Sequence, residues 1–307
     1  MNLLTVIKKN IYGIIAATVI FLFALYTLLD TFVIVRTYSA VVTTGADVSE
    51  DAGIESDTEA AKSEAYVTSN SYSDSDVQVV ISEYRYLDTT VYVADISVSS
   101  PDLLATAFAN NAYGKNVKDE TSSIASDNGA IIAINGDFYG SRNKGYVIRG
   151  GVLYRSASAG NEDLVIWNDG TFGIINEDEI SAEELAEQGA KEVFSFGPAL
   201  VVNGELRVDE DDEVGRAMAS NPRTAIAVTG DGHYLFIVSD GRTDESEGLD
   251  LYELAEFAKD LGADICYNLD GGGSSTMYFM GEVINNPTSN GKNGSERSVS
   301  DIVYVGK

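Results

Sequence analysis

The run Asn268-Leu269-Asp270-Gly271-Gly272-Gly273-Ser274-Ser275-Thr276 follows the apolar stretch Ala263-Asp264-Ile265-Cys266-Tyr267 and concentrates groups able to do chemistry. Consecutive glycines after a buried strand would weaken an ordinary turn, so their use is to let backbone N–H groups approach something closely. Asp270 precedes them, and the hydroxyls of Ser274 and Ser275 follow. The loop thus offers a carboxylate for proton transfer or nucleophilic attack beside amide and hydroxyl donors for an anion. A flexible surface turn is the alternative reading of the glycines taken alone.

Three arginines are candidates to join that loop. In Asn221-Pro222-Arg223-Thr224, Pro222 pre-sets a rigid turn that holds Arg223 in one direction. Arg242 in Asp240-Gly241-Arg242-Thr243 and Arg297 in Glu296-Arg297-Ser298-Val299 are the others. A fixed guanidinium makes paired bonds to phosphate or carboxylate, whereas an exposed one in an acid-rich chain forms a surface ion pair of little consequence. The single histidine, His233, follows Asp231-Gly232 between two strand-like runs and reads as a hairpin residue. The single cysteine, Cys266, lies inside a strand-like run and reads as a small core residue. Ser-His-Asp and Cys-His catalysis and the usual zinc sites are thereby excluded, and proton transfer falls to carboxylates. The glycine loop also lacks the Gly-Lys-Ser/Thr ending of a nucleotide P-loop. Carboxylates beside phosphate-binding groups point to glycosidic C–O or phosphoester cleavage. No cofactor is required for such chemistry. An Asp-rich cleft has donors for a divalent cation, but no run has calcium-loop spacing, so the metal is left unassigned.

These groups need a scaffold. Strands are expected at Val77 to Ser82, Thr90 to Val98, Ala130 to Asn135, Leu164 to Trp167, Ala199 to Val202, Thr224 to Thr229, Tyr234 to Asp240, Ala263 to Leu269 and Ile302 to Val305. Helices are expected at Asp102 to Asn111, Ala182 to Gln188 and Leu251 to Leu261, with capping-box spacing at Ser181/Glu184 and Asp250/Glu253. The fold is therefore mixed α and β, an α+β or α/β arrangement with a mixed sheet core and few helices. Residues 234–270 read as a β-α-β unit with parallel strands and a right-handed crossover, which sends Asp240 and Asp270 out of the same sheet edge. The strand ending in Asn135-Gly136-Asp137 is expected to finish at the same cleft, because open sheets place ligands at strand carboxyl ends.

The stretch from Ile11 to Leu29 carries no charge and predicts a single transmembrane helix, with Lys8 and Lys9 holding the N-terminus in the cytoplasm. A cleaved signal ending near Ser39-Ala40 is the alternative. Residues 1–36 are thus assigned to the cytoplasmic N-terminus and anchor. Residues 37–76 form an acidic Ser/Thr-rich tether too poor in large apolar side chains to order itself, and 77–307 form one domain outside the cell. With 20 Lys plus Arg against 48 Asp plus Glu and a net charge of -28, nucleic acid is excluded as a partner. One cysteine in an exported chain excludes an internal disulfide framework.

Five motifs together resemble the phosphodiester glycosidase family: Ala133-Ile134-Asn135-Gly136-Asp137-Phe138-Tyr139, Phe196-Gly197-Pro198-Ala199-Leu200, Asn221-Pro222-Arg223-Thr224-Ala225-Ile226, Asp240-Gly241-Arg242 and Asn268 to Ser275. Bacterial members are often membrane-anchored and related to exopolysaccharide. The resemblance implies hydrolysis of a sugar-1-phosphodiester of the GlcNAc-1-phosphate type. It places Asp270 and Asp240 in the site, and by residue type Asp270 or Asp240 assists attack at the anomeric carbon, with the division of roles between the two catalytic candidates open. Around them it places Asn135, Arg223, Arg242, Gly271, Gly272, Gly273, Ser274 and Ser275, and the residues themselves add Gly136, Asp137, Thr224 and Arg297, as substrate or phosphate ligands, Asp137 the weakest of these. The expected substrate is a cell-envelope or exopolysaccharide sugar phosphate. Cleavage of P–O instead of C–O, and a non-catalytic glycan-binding or scaffold role in polymer assembly, are the competing readings.

Overall fold

The computed structural model describes residues 3–38, 65–209, 219–230, 232–289 and 292–307. Three antiparallel sheets share one core. The largest has nine strands in the spatial order Glu205–Leu206, Ala199–Val202, Ala263–Asn268, Arg223–Thr229, Tyr234–Ser239, Thr89–Val98, Val77–Tyr86, Ser71–Ser73 and Tyr66–Val67. A second, five-stranded sheet centres on Ala130–Asn135, flanked by Met277–Phe279 and Asp301–Gly306. The third contains Val147–Arg149, Glu162–Trp167 and Ala190–Phe194.

Alternation of side chains explains how the sheets stack. In the Arg223–Thr229 strand, Ile226 joins the central cluster with Ile132 and Val303 of the second sheet and Leu164 and Phe194 of the third. Its neighbours Ala225 and Ala227 face the other way, into a cluster with Leu254, Ala255 and Ala258 of the Leu251–Asp260 helix. The helix presents Leu251, Leu254, Ala255 and Ala258 at the spacing of one face. Helices Thr121–Asp127 and Ala182–Glu187 pack in clusters with the second and third sheets in the same way. Both expected capping boxes form, with Ser181 and Asp250 each accepting the amide three residues on.

Several expectations are corrected. The stretch Asp102 to Asn111 is no helix: Leu104–Phe108 is a strand between two short 3-10 turns. Helix-favouring Leu and Ala lose to pairing with the C-terminal strand, where Leu104 meets Val305 and Phe108 meets Asp301, and Asn110 takes a left-handed conformation with φ 53°. Strands Tyr234–Ser239 and Ala263–Asn268 do run in the same direction, but they are not neighbours. Arg223–Thr229 lies between them and pairs antiparallel with both. The β-α-β unit is split, and the start of the inserted strand arrives at the edge where the other two end.

Order also begins before residue 77. Ser71–Ser73 extends the large sheet, Tyr72 is buried, and Asp74 accepts the amides of Asp76 and Val77 while pairing with Lys307. The Ser, Asn and Asp residues there make turns between edge strands. Most of the expected tether, 39–64, lies outside the described residues. At the N-terminus a helix spans Leu3–Phe32, with side chains described from Ile15 onward. Among the described residues no helix is long and apolar enough to cross a membrane. Val19, Ile20, Phe21, Leu22 and Phe23 are exposed. After this helix, Arg36–Thr37 pairs with Gly114–Lys115.

Candidate active site

Asp270 stands at the head of the glycine loop and is fixed from two sides. Its Oδ2 accepts Ser274 Oγ at 2.6 Å and Arg297 Nη2 at 2.8 Å. Arg297 also donates through Nε to Ser274 Oγ at 2.8 Å and through Nη2 to the Gly271 carbonyl at 3.0 Å. No hydrogen bond engages Oδ1 among the described residues, so a carboxylate in a fixed orientation keeps one oxygen for another partner.

The glycines are there because the loop runs against other chain. A Cβ on Gly271 would sit 2.9 Å from the Pro222 carbonyl oxygen. Gly272 has φ +64°, and a Cβ there would sit 2.9 Å from Arg242 Nη2. The amide of Gly272 donates to Pro222 O at 2.7 Å, and those of Ser274 and Ser275 donate to carbonyls of the same loop. These amides are engaged inside the protein, which leaves the neighbouring arginines as the main donors for a ligand.

Four arginines surround Asp270 in a cavity of about 780 Å³, lined by Arg142, Arg223, Arg242 and Arg297 with Phe196, Asn221, Asn268 and the loop. Arg223 is buried, with Nε on Leu249 O at 2.8 Å and Nη2 on Ala219 O at 2.8 Å. Burial, with Arg242 adding repulsion and Asp250 opposing it, lowers its pKa to about 10, so it stays charged at neutral pH. Arg242 is braced by Asn221, whose Oδ1 accepts its Nε at 3.0 Å and Nη2 at 2.7 Å. Arg142 lies over the Phe196 ring, 4.9 Å from its centroid, and donates to Ser195 O. Neither Arg142 nor Arg242 makes an ion pair among the described residues. Two guanidinium groups with no ion pair among the described residues, gathered in a protein of net charge -28, favour an anion at this place. Beyond Arg297 a second cavity of about 590 Å³ adjoins, lined by Asn116, Lys118, Phe138, Ser141, Glu296 and Ser298 among others.

Other expected site residues turn inward. Asn135 is buried where the second sheet meets the large one, and donates through Nδ2 to the Asp270 carbonyl at 2.6 Å. Its Oδ1 accepts Thr224 Oγ1 at 2.8 Å and the Thr276 amide at 3.3 Å. Asn135 and Thr224 therefore position the loop and do not line the cavity. Gly136 takes the Asp270 amide on its carbonyl at 3.3 Å, and a Cβ there would collide with the Asp301 carboxylate. Asp137 pairs with Arg149 at 3.2 Å and accepts the amides of Tyr139 and Ser195, away from the cleft. Asp240 leaves the expected edge, but its Oδ1 accepts the Asn286 amide at 2.8 Å and Asn285 Nδ2 at 3.3 Å, and it does not line the cavity. Burial raises its pKa against those two bonds. Gly273 lies under Ser289, and Ser275 is buried.

Arg142, Phe196 and Lys118 were absent from the candidate residues named above. The one signal for Arg142 is a basic residue soon after Asn135-Gly136-Asp137 in an acid-rich chain. His233 sits in the Thr229 to Tyr234 hairpin against Asp95, and Cys266 is buried in its strand. Among the described residues no group of three or more His, Cys, Asp or Glu is placed to hold a metal ion.

A sheet-built cleft with one clamped carboxylate among arginines defines a protein that handles a phosphorylated or otherwise anionic ligand. Residues 128–306 match the phosphodiester glycosidase family, and the chain belongs to it. Among relatives, the SPbeta prophage-derived uncharacterized protein YomE of Bacillus subtilis is 31% identical over 199 residues, covering 63% of this chain and 30% of that protein. N-acetylglucosamine-1-phosphodiester alpha-N-acetylglucosaminidase of Mus musculus is 28% identical over 198 residues, covering 58% of this chain and 38% of the enzyme. The matched parts thus span about a third of those relatives' lengths. The fold resembles the catalytic domain of the zebrafish enzyme of the same name, solved auto-inhibited by its pro-peptide, with a TM-score of 0.61 at 21% identity. That likeness covers 80% of this chain and 88% of the zebrafish chain. A hypothetical protein from Synechocystis has a TM-score of 0.59 at 17% identity, covering 76% and 62% of the two chains.

Proposed function

We propose that this chain is a membrane-anchored, extracytoplasmic hydrolase that cleaves a sugar from the phosphate of a sugar-1-phosphodiester in an envelope or exopolysaccharide substrate. The observation that carries the reading is the make-up of the cleft among the described residues: the carboxylate of Asp270 beside Arg142, Arg223, Arg242 and Arg297, of which Arg142 and Arg242 make no ion pair there. An ordinary glycosidase needs a second carboxyl group to protonate the departing alkoxide. A phosphate leaves without that help, and guanidinium donors stabilise the charge it gains. One oriented carboxylate suffices on the sugar side.

In this mechanism the arginines hold the phosphate and Asp270 Oδ1 faces the anomeric carbon or a water poised against it. The C1–O bond breaks, its electron pair stays on the phosphate oxygen, and water supplies the new hydroxyl and the proton. Arg297 and Ser274 keep Asp270 from rotating, which maintains the near-attack geometry. The uncharged stretch Ile11 to Leu29, behind Lys8 and Lys9, supports an anchor with the domain outside. The activity in the mouse relative's name supports the choice of sugar-1-phosphodiesters.

Hydrolysis of a GlcNAc-1-phosphate diester in oxygen-18 water tests the reading. Label in the released sugar supports C–O cleavage; label in the phosphate means P–O cleavage and overturns it. Asp270→Asn should lower kcat by about 10²–10⁴. An unchanged rate in that variant would remove Asp270 from the chemistry, and a cellular function that survives it would favour the binding-module reading.

A further inference from the structure

Lys118 is a cation with no counter-ion among the described residues. It is half-buried in the cavity beyond Arg297, and its Nζ donates to the neutral Ser141 Oγ at 2.9 Å. The Nζ also lies 5.5 Å from the centroid of the Phe138 ring. It makes no ion pair among the described residues, although acidic residues outnumber basic ones 48 to 20 in the chain. Burial first, and then the positive charge of Arg297, lowers its pKa, with Asp270 acting in the opposite direction. Lys118 therefore shares the electrostatic environment of the cleft. Glu296, in the same cavity, is held by Ser122 through both its amide and its hydroxyl and makes no ion pair with Lys118.

Arg297 lines both adjoining cavities, with Arg142 and Arg242 in the first and Lys118 in the second. Arg142, Arg242 and Lys118 make no ion pair among the described residues, whereas Arg297 is paired with Asp270. A phosphodiester carries a single negative charge. A half-buried cation with no counter-ion is costly unless an anion joins it. Asn116, Ser141 and Ser298 add hydrogen-bonding groups around Lys118, as a polar anionic group requires.

Resting on the reading of the cleft as a sugar-phosphate site, we propose that the substrate carries a second phosphate, seated against Lys118 on the far side of Arg297 from the reacting bond. The substrate class is then a chain of repeating sugar phosphates or a sugar bearing phosphates at two positions, in preference to an isolated monophosphodiester. Arg297 bridges the two sites: it orients Asp270 on one side and borders the second phosphate on the other.

Titration calorimetry on the full chain in detergent, with glucose 1-phosphate and glucose 1,6-bisphosphate as probes at fixed salt, tests this. The wild type should bind the bisphosphate about tenfold more tightly, the gain expected from one added charge-assisted contact. Lys118→Met should abolish that preference while changing glucose 1-phosphate affinity less than about twofold, and Lys118→Arg should retain it. Equal affinities in the wild type, or an equal loss for both ligands in a folded Lys118→Met protein, would overturn the proposal. If Lys118→Met does not fold, the salt dependence of wild-type binding decides, since an added phosphate contact must steepen it. The oxygen-18 experiment is independent of this one. A bisphosphate preference without turnover sinks the hydrolase reading and leaves the second site standing, whereas turnover without the preference does the reverse.

Discussion

Asn135 and Asp270 belong to different sheets, yet the Asn135 amide donates to the Asp270 main-chain carbonyl at 2.6 Å. The same side chain accepts from Thr224 and Thr276, so one buried residue ties the loop to both sheets. Asn135→Ala would leave the Thr224 hydroxyl and the Asp270 carbonyl buried without partners. The expected cost is about 2–4 kcal/mol, measured by urea denaturation. In the protein that remains folded, kcat should fall more than KM rises, because the carboxylate moves and the arginines do not.

Arg223 presents a planar fork from a buried site, with Nε and Nη2 committed to the Leu249 and Ala219 carbonyls. A lysine has the charge without the fork. Arg223→Lys should therefore reduce kcat/KM by about 10- to 100-fold while preserving the fold, as judged by circular dichroism. Wild-type activity in this variant would mean that Arg223 does not contact the phosphate.

Gly272 is the loop position least tolerant of a side chain. Its φ of +64° disfavours any Cβ, and that Cβ would meet Arg242 Nη2 at 2.9 Å. Gly272→Ala should cost about 1–2 kcal/mol in stability through the left-handed backbone conformation. It should also raise KM by displacing the Arg242 guanidinium. Arg242→Ala in the same background separates the two effects: the KM penalty of the alanine disappears and the stability penalty remains.

Asp163 contributes to the pH dependence of stability. Both its carboxyl oxygens are buried and have no hydrogen-bond partner among the described residues. Burial, reinforced by the charge of Glu177, raises its pKa to about 9. The folded state therefore holds a proton that the unfolded chain releases near pH 4. This contribution is full below that pH and declines as pH rises toward 9. Asp163→Asn should remove this contribution and leave those of Glu192 and Asp301, whose pKa values burial also raises; thermal melts at pH 5 and 8 should show a gap between variant and wild type that widens with pH to about 1–3 kcal/mol in favour of the variant. A gap that stays constant with pH would show that Asp163 is ionised throughout.

Local chemistry made some of this legible in the chain. The Ser181/Glu184 and Asp250/Glu253 spacings encode helix starts because capping is a contact three residues long. Short continuous apolar runs marked Ala130–Asn135 and Ala199–Val202. The glycine loop, Asp270 and the arginines at 223, 242 and 297 stood out because few residue types combine acid, donors and backbone freedom. Only the tertiary structure separated residues that line the cleft from those that hold it. Asn135, Asp137 and Asp240 carry the same polar groups as residues that line a site. Whether such a side chain turns to solvent or inward depends on partners distant in sequence: Thr224 and Asp270 for Asn135, Arg149 for Asp137, Asn286 for Asp240. Long-range pairing likewise turned Leu104–Phe108 into a strand and inserted Arg223–Thr229 between the parallel pair. Sequence fixed which groups were present; packing among three sheets decided which of them face the ligand, because orientation is a property of contacts that no local pattern encodes.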